Sequence, residues 1–429
     1  MIFTDSVFPL FLAAFSFFWV LLKDVRPFVI LIASFIFYGA AGAQYTIILA
    51  FVILQTYILA FYVKNNRSIL LTSVLLNLLV LGYFKYSFFI AGLLFDQSVT
   101  SIFEGIILPV GISFYIFQSL SYVIDVYKGE LKNERNLINY GAFVSFFPQL
   151  VAGPIERASR LLPQISKSEH QIVPGSFAKI SIGLFAKVMI ADQLAPFVDR
   201  IFSSYEDIHI VEKLLGGVYF SIQIYGDFFG YSLIAIGVAG LFGIKLMDNF
   251  NYPYYATSLS EFWRRWHISL SSFFSDYVYK PLGGSKFGLR TLMISTFVTF
   301  LASGLWHGAN LTFILWGGIH GLLVFLEKLV PLERVNGLVR LAYVYFTVLL
   351  LWILFRIDSI EGYAIFLSDW NLGTDIKNTS GVLVVFMFLI FETSRKYLIG
   401  VAPYCLLFTV SLSELVFRNG NTPFIYFAF

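Results

Sequence analysis

The chain has 429 residues, of which 58% are hydrophobic, 19% aromatic and only 13% charged, and its mean hydropathy is +0.79. A soluble domain carries charge on about a quarter of its residues, so this composition excludes a water-covered surface and makes lipid the solvent. The net charge of +3 says little about partners, but no basic run is long enough to track phosphates, so nucleic acid is not expected as a partner. The single cysteine, Cys405, excludes an internal disulfide and a multi-cysteine metal site.

Apolar stretches of membrane-spanning length recur along the whole sequence. A transmembrane helix needs about 20 such residues, and this length predicts spans near 6–22, 27–42, 45–63, 68–94, 106–126, 176–198, 214–243, 291–307, 310–326, 341–355, 380–394 and 400–417. We predict an all-α polytopic integral membrane protein with about 11–12 transmembrane helices plus re-entrant or interfacial helices. Without repeats or low-complexity linkers, residues 1–429 are predicted to form one domain.

Basic residues are concentrated in alternate connections between these spans. Lysines and arginines lie in the loops around residues 64–67, 128–135 and 157–167, whereas the loops around 96–104 and 206–212 are acidic. Since basic loops stay in the cytoplasm, this alternation predicts an N-terminus on the outside of the membrane. The same alternation predicts that the C-terminus, 419–429, also lies outside.

Two segments fit neither a span nor a polar loop. Residues 138–165 are apolar but interrupted by prolines and glycines, and residues 249–284 mix aromatic with charged side chains. Irregular backbone at membrane depth persists only where protein buries it or water reaches it. These segments therefore predict a lined cavity.

Three histidines lie in or beside apolar sequence: His267, His307 and His320. Ionisable groups at membrane depth are costly and are markers of function, although a single buried histidine is as often a neutral partner of a neighbouring helix. The presence of three favours a functional cluster.

His307 has small neighbours, which would let another backbone or a slim substrate approach it closely. His320 follows across a turn predicted near Ala309 and Asn310, so it would face His307 from the next helix or support the packing there. Trp306 and Trp316 offer stacking surfaces.

The string EFWRRWHISLS (261–271) reads as one amphipathic helix that contains His267. Its arginines, Arg264 and Arg265, would reach the membrane surface beside tryptophan anchors, or would clamp the phosphates of an anionic cofactor. Both interpretations remain open, and they are compatible.

The sequence contains little that would indicate a metal site or a serine hydrolase. HExxH is absent, no thiolate is available, and the spacing of the histidines does not match a zinc site. No GxSxG motif occurs that would mark a serine hydrolase. We predict no metal.

Four strings resemble the membrane-bound O-acyltransferase superfamily, in particular its bacterial alginate O-acetyltransferase branch. They are PQLVAGPIER (148–157), NFNYPYYATSLSEFWRRWHISLSSFFSDYVYKPLGGS (249–285), SGLWHGANLTFILWGGIHG (303–321) and PFIYFAF (423–429). The two long central strings are specific, because they combine rare residues in fixed order over dozens of positions. The resemblance places the catalytic core at about 109–327.

The resemblance implies a catalytic histidine at His307, a second polar site residue at His267, and an acyl-relay tyrosine at Tyr426 in the C-terminal aromatic motif. It also implies a ring of tilted helices around a central funnel. Such proteins take an acyl group from a cytoplasmic thioester, for example acetyl-CoA, with no tightly bound cofactor. They pass it across the bacterial inner membrane to a polysaccharide, and a periplasmic acetyltransferase partner is expected. The terminal motif also fits a simple aromatic anchor in the membrane interface.

Several roles and functions stay open from the sequence. Trp306, Asn310 and His267 are candidates for stabilising an oxyanion, while Arg264 and Arg265 are candidates for donor phosphates. The alternative function is a transporter or flippase of a lipid-linked or acyl substrate, with the histidines as a proton relay, although no inverted pair of broken helices supports it. A protein-lipidating or glycerolipid acyltransferase of the same superfamily is a further alternative.

Overall fold

The computed structural model describes residue 1 and residues 3–167, 171–368, 380–395 and 397. The predicted span 400–417, Cys405 and the terminal motif 423–429 with Tyr426 lie outside the described residues. Within these ranges every regular element is a helix, as predicted.

Six of the described helical segments are long and apolar enough to cross a membrane. They are Ala43–Ala60, Arg67–Leu94, Ser176–Ser203, Ile210–Leu241, Leu289–His307 and Gly337–Arg356, and three shorter apolar helices cover Phe8–Leu21, Leu311–Glu327 and Gly381–Ser394. This confirms a polytopic membrane protein. Every predicted span up to residue 394 coincides with a helix, with ends shifted by a few residues.

The described residues form two compact units. The first unit comprises residues 1–177 and 235–247. Its helices are α1 (Phe8–Leu21), α2 (Arg26–Gly39), α3 (Ala43–Ala60), α4 (Arg67–Leu94), α5 (Gln97–Thr100), α6 (Ile112–Lys128), α7 (Leu137–Ser145), α8 (Phe147–Leu150) and α9 (Ala158–Ile165). The interrupted segment 138–165 is thus divided into three short helices, as expected from its prolines. Most of its side chains are buried.

The core of the first unit is built largely from phenylalanine rings. α2 packs against α7, and α6 packs against α3 and α4. The rings of Phe11 and Phe15 each meet Phe147 edge-on with centroids 5.2 Å apart. The buried Glu156 accepts a hydrogen bond from the backbone N–H of Met247, which fixes the end of the recognisable string at 148–157.

The second unit comprises residues 178–234 and the described residues from 248 onward. The first two residues of α10 and the last seven of α12 are assigned to the first unit. The helices are α10 (Ser176–Phe185), α11 (Asp192–Ser203), α12 (Ile210–Leu241), α13 (Leu259–Arg265), α14 (Ile268–Phe274), α15 (Leu289–His307), α16 (Leu311–Glu327), α17 (Gly337–Arg356), α18 (Ile360–Ser368) and α19 (Gly381–Ser394). A π-helical turn, Ala186–Ala191, joins α10 to α11.

Two buried ionic groups tie α12 to its neighbours in the second unit. Lys187, in the π-helical turn, lies 2.7 Å from Asp192 and 2.6 Å from Asp227 of α12. Buried charges persist in proteins when they are paired in this way. At the other side of α12, the Tyr225 hydroxyl donates to Glu392 of α19 and accepts from Arg395.

α15 and α16 form a tightly packed helix pair in the second unit. A Cβ added to Gly304 would lie 2.2 Å from the carbonyl oxygen of Phe313, and one added to Gly317 would lie 2.3 Å from that of Phe300. Glycine is therefore required at both positions, because only its hydrogen leaves room for the facing backbone. This close approach sets the position of His307 at the end of α15.

Candidate functional site

His307 is the last residue of α15, at the turn that the sequence predicts. α16 begins at Leu311, and the side chain of Asn310 accepts a hydrogen bond from the backbone N–H of Thr312. The Asn310 amide also donates to the carbonyl oxygen of Asp358 at 2.7 Å. Asn310 therefore caps α16 and holds the turn, and both ends of its amide are already engaged.

Aromatic rings surround the imidazole of His307, which is only 4% exposed. The ring centroids of Trp306, Trp316 and Phe355 lie 4.9, 5.2 and 5.1 Å from it, all edge-on. Such packing excludes bulk water and limits the rotamers available to the imidazole. The site thus holds a histidine in one orientation within a low-dielectric environment.

His267 lies at a break between two short helices, so the prediction of one continuous helix over 261–271 was wrong. α13 ends at Arg265 and α14 starts at Ile268, and His267 between them has a left-handed backbone with φ 42° and ψ 56°. Its ring contacts Phe228 at 4.5 Å and Trp306 at 5.7 Å. Trp306 therefore touches both His267 and His307, which brings these two predicted residues into one site.

His320 belongs to the same aromatic cluster but does not directly face His307. The ring of Trp316 lies between them, 5.2 Å from His307 and 4.7 Å from His320. Nδ1 of His320 accepts a hydrogen bond from the indole N–H of Trp263 at 3.3 Å. His320 thus packs within the aromatic cluster and links α16 to α13.

A cavity of about 250 Å³ lies among α13, α14, α15 and α16. Many of its lining residues carry a hydroxyl group: Ser260, Ser271, Ser275, Tyr279, Thr296, Thr299 and Ser303. On α15 the lining positions 296, 299, 300 and 303 follow helical spacing, and His307 is the next residue on that face. The inner wall of the cavity at Ser303 thus lies one helical turn from His307.

Two of these hydroxyls already donate their proton to a backbone carbonyl. The Thr299 hydroxyl donates to Ser295 at 2.6 Å, and the Ser271 hydroxyl donates to Trp266 at 3.2 Å. A hydroxyl that donates in this way keeps lone pairs as acceptors. The cavity therefore suits a slender ligand that carries N–H groups.

A second, polar cavity of about 500 Å³ shares Ser260, Arg264 and Lys328 with the first. Arg340 also lines it, and Glu327 and Glu333 contribute carboxylates, so three cations and two carboxylates surround this space. The hydroxyl of Ser260 and Nε of Arg340 are buried, and neither forms a hydrogen bond with any residue that the structure describes. Buried polar atoms are normally satisfied, so these two donors, next to the three cations, favour a ligand with anionic oxygen acceptors. We refer to the two spaces as the inner cavity and the outer cavity.

The structure separates the two adjacent arginines that the sequence groups together. Arg264 lines both cavities, whereas Arg265 forms an ion pair with Glu261 at 2.6 Å. Burial alone would raise the pKa of the Glu261 carboxyl. The hydrogen bonds from Thr257 and Arg265 outweigh this effect and lower the pKa.

Glu327, the last residue of α16, fixes the start of α13. Its carboxylate accepts the backbone N–H groups of Leu259 at 2.7 Å and Ser260 at 3.2 Å. These donors have no intrahelical partner, so the carboxylate replaces the missing bonds. This contact attaches α13 to α16 beside the outer cavity, which Arg264 also lines.

Sequence reasoning missed Lys328, Arg340 and the hydroxyl-lined wall. Lys328 and Arg340 come from the end of α16 and the start of α17, and nothing local links them to Arg264. The helical spacing of Thr296, Thr299 and Ser303 in front of His307 was a signal that could have been found. Among the residues described, no group of three potential metal ligands occurs.

The profile of the membrane-bound O-acyltransferase family matches residues 34–332. The chain belongs to this family. The match confirms the sequence resemblance and identifies the protein as an O-acyltransferase. The matched range contains both His267 and His307 and almost the entire lining of the two cavities.

Curated members of this family are similar over most of the chain. The probable alginate O-acetylase AlgI of Pseudomonas putida is 37% identical over 402 residues, which are 87% of this chain and 82% of that protein. The peptidoglycan O-acetyltransferase of Helicobacter pylori is 36% identical, covering 70% of this chain and 64% of that protein. The teichoic acid D-alanyltransferase of Bacillus subtilis is 30% identical and covers 51% and 59%. These relatives act on different acceptors.

Proposed function

We propose that this enzyme passes an acetyl group from a cytoplasmic thioester across the bacterial inner membrane for O-acetylation of a cell-envelope polysaccharide. The family membership and the alginate and peptidoglycan relatives support acetyl transfer to a polymer. The observation that carries the proposal is the position of His307. It lies one turn beyond a hydroxyl-lined cavity whose mouth carries Arg264 and Lys328, and it shares Trp306 with His267.

In this proposal His307 is the general base. As the acceptor hydroxyl attacks the thioester carbonyl, its proton moves to the imidazole, a C–O bond forms and the C–S bond breaks. The proton then passes to the departing thiolate. A histidine suits this role because its ordinary pKa of about 6.5 leaves the imidazole largely neutral, and able to accept a proton, near pH 7. A positioned general base accelerates such reactions by roughly 10²- to 10⁴-fold.

The negative charge on the tetrahedral intermediate needs donors that are already in place. Among the predicted candidates, Trp306 contacts His307 directly and His267 contacts Trp306. Asn310 would have to release one of its hydrogen bonds to contribute, since its amide is already engaged at both ends. We therefore assign this role first to Trp306 and His267.

The donor is an acyl thioester such as acetyl-CoA, or a carrier's pantetheine thioester, and no tightly bound cofactor is required. The phosphate of the donor would bind in the outer cavity between Arg264, Lys328 and Arg340, near the hydroxyl of Ser260. The pantetheine arm, which has two amide N–H groups, would extend along the hydroxyl-lined inner cavity. From Thr296 to His307 the arm would follow α15 for about 16 Å, at 1.5 Å per residue.

In this proposal the acceptor lies on the side of the membrane opposite to the donor. The basic loops predict an N-terminus outside and the outer cavity on the cytoplasmic side. Tyr426, outside the described residues, would receive the acetyl group first, because a phenol with a pKa of about 10 loses its proton more readily than a sugar hydroxyl. A periplasmic acetyltransferase partner would then transfer the group from Tyr426 to the polysaccharide.

Labelled acetyl-CoA, supplied to proteoliposomes that contain the full-length enzyme, tests the chemistry. His307→Ala is expected to lower acetyl transfer by at least about 100-fold. The matched control is His209→Ala, which removes a loop histidine outside the site. Transfer by folded His307→Ala at the wild-type rate contradicts the general-base assignment. Passage of unaltered donor without any acetylated product would favour the transporter instead.

Tyr426→Phe tests the relay separately. Mass analysis of the trapped enzyme is expected to find acetyl on Tyr426 in the wild type and none in this variant. Tyr397→Phe, with a side chain that is 70% exposed, is the control from the same end of the chain. Full polymer acetylation by Tyr426→Phe rules out the relay and leaves His307 unaffected.

A further inference from the structure

A short extended segment runs beside the helix break that carries His267. The backbone carbonyl of Asn249 accepts the N–H of Ile268 at 2.9 Å, and the N–H of Asn251 donates to the carbonyl of Arg265 at 2.9 Å. These bonds attach the segment to the residues on both sides of His267. Asn249 opens the long recognisable string at 249–285, and the proposed acyl transfer assigns it no role.

The side chain of Asn249 adds three further hydrogen bonds. Its Oδ1 accepts the backbone N–H of Ser269 at 3.2 Å and the hydroxyl of Ser269 at 2.9 Å. Its Nδ2 donates to the hydroxyl of Ser232 on α12 at 3.1 Å. Asn249 is only 1% exposed, so all of these bonds form away from solvent. The amide therefore links α12 to the first turn of α14.

The turn at His267 needs support of this kind. A left-handed backbone is unusual for a residue with a side chain and persists where the surroundings impose it. The flanking helices, α13 and α14, have only seven residues each, and helices so short are not stable alone. The hydrogen bonds from Asn249 therefore stabilise a turn that the two short helices cannot stabilise alone.

The same face of α12 contacts both Asn249 and the ring of His267. Ser232 accepts the hydrogen bond from Asn249, and Phe228, one turn earlier, packs edge-on against His267 at 4.5 Å. Residues four apart on a helix lie next to each other on one face. Asn249 therefore fixes the distance between α14 and the surface of α12 against which the imidazole rests.

We propose that Asn249 is a positioning residue that holds His267 in the acyl-transfer site by fixing the left-handed turn to α12. The proposal rests on the proposed role of His267. Asn249 itself contacts neither His307 nor the cavities, so it acts on the reaction only through the placement of His267 against Phe228 and Trp306.

Two substitutions distinguish positioning from mere packing. Asn249→Leu keeps the branching at Cγ and removes the amide hydrogen bonds. Asn249→Asp keeps the acceptor for Ser269 and can accept from the hydroxyl of Ser232, but it buries a charge. Positioning predicts more activity from Asn249→Asp than from Asn249→Leu, whereas packing alone predicts the opposite order. Asn77→Leu is the control, since Asn77 is also fully buried and hydrogen-bonded, but in the first unit.

A double-mutant cycle with the full-length enzyme in proteoliposomes tests the route through His267. Asn249→Leu is expected to lower kcat about tenfold in the wild type and less than about twofold in the His267→Ala background. The KM for acetyl-CoA stays within about twofold in both. An equal loss of kcat in the two backgrounds overturns the proposal, because it shows an effect that is independent of His267.

A cryo-EM structure of Asn249→Leu gives a second readout that does not depend on activity. The ring of His267 is expected to leave its contacts with Phe228 and Trp306, and an unmoved ring overturns the proposal. If His267→Ala retains full activity, the assigned role of His267 in acyl transfer fails. The structure of Asn249→Leu still decides whether Asn249 positions the ring, so the two failures can be told apart.

Discussion

The indole N–H of Trp263 donates a hydrogen bond to Nδ1 of His320, although the two residues lie 57 positions apart in the chain. An imidazole that accepts at Nδ1 carries its proton on Nε2 when it is neutral. The bond also joins α13 to α16, next to the attachment of Glu327 to the start of α13. The helix that carries Arg264 is thus held to α16 through its first turn and through Trp263.

Loss of that hydrogen bond should destabilise the protein more than loss of an indole alone. Trp263→Phe leaves Nδ1 of His320 without its donor, at an expected cost of about 1–3 kcal/mol. Trp316→Phe is the matched control, because the buried Nε1 of Trp316 has no hydrogen-bond partner in the described part of the chain. Thermal unfolding in detergent measures both. Equal shifts in Tm would contradict a specific contribution from the bond.

The close approach of α15 and α16 predicts different losses of stability for alanine substitutions at two adjacent glycines. Gly317→Ala places a methyl group against the Phe300 carbonyl and should cost about 1–3 kcal/mol. It should also lower acetyl transfer, because α15 carries His307. Gly318→Ala has its nearest neighbour at 3.7 Å and should change stability by less than about 1 kcal/mol. Unfolding curves that rank the two variants in the reverse order would disprove the tight packing.

The cations of the outer cavity should set the affinity for the donor. Arg264→Ala and Lys328→Ala are each expected to raise the KM for acetyl-CoA about tenfold, the loss of one charge-assisted hydrogen bond, with little change in kcat. Arg334→Ala removes an exposed cation that lines neither cavity and should leave the KM within about twofold. A KM that responds equally to all three would indicate general electrostatic attraction rather than a binding site.

The ion pair between Glu261 and Arg265 predicts a pH dependence of stability. Because the pKa of Glu261 is lowered in the folded protein, its contribution is complete at neutral pH and is lost as the pH falls below the ordinary glutamate pKa of about 4.3. Glu261→Gln should therefore have a lower Tm than the wild type at neutral pH, and the difference should shrink in acid. Glu206→Gln, in an exposed loop, is the control. A constant difference between wild type and Glu261→Gln across this range would exclude the ionised carboxylate as the cause.

The helices could be predicted well from the sequence because a membrane span depends on a local property, the length of an apolar run. A run of about 20 apolar residues needs no knowledge of its neighbours, and the turn at Asn310 follows from a local capping preference. The pairing of His267 with His307 near Trp306 was also foreseeable, since both lie in specific strings of the family.

The break at His267 could not be read from EFWRRWHISLS, because the bonds that impose it come from Asn249 and from Ser232 on α12. In the same way, Arg264 and Arg265 are adjacent in sequence, yet only tertiary contacts assign one to a cavity and the other to Glu261. The outer cavity combines residues from α13, α16 and α17, and a single sequence does not show that these helices lie close together. Long-range contacts, rather than local propensity, decide these features.

The hydroxyl-bearing face of α15 has an apolar counterpart on the same helix. Ile294, Val298 and Leu305 are exposed, and helical spacing places them on the side away from Thr296, Thr299 and Ser303. Adaptation to a bilayer of different thickness or lipid content can therefore proceed on one side of this helix by exchanging one aliphatic residue for another. Substitutions on the side that lines the inner cavity can occur independently of these exchanges. Adaptation to the membrane and preference for the donor can therefore evolve separately.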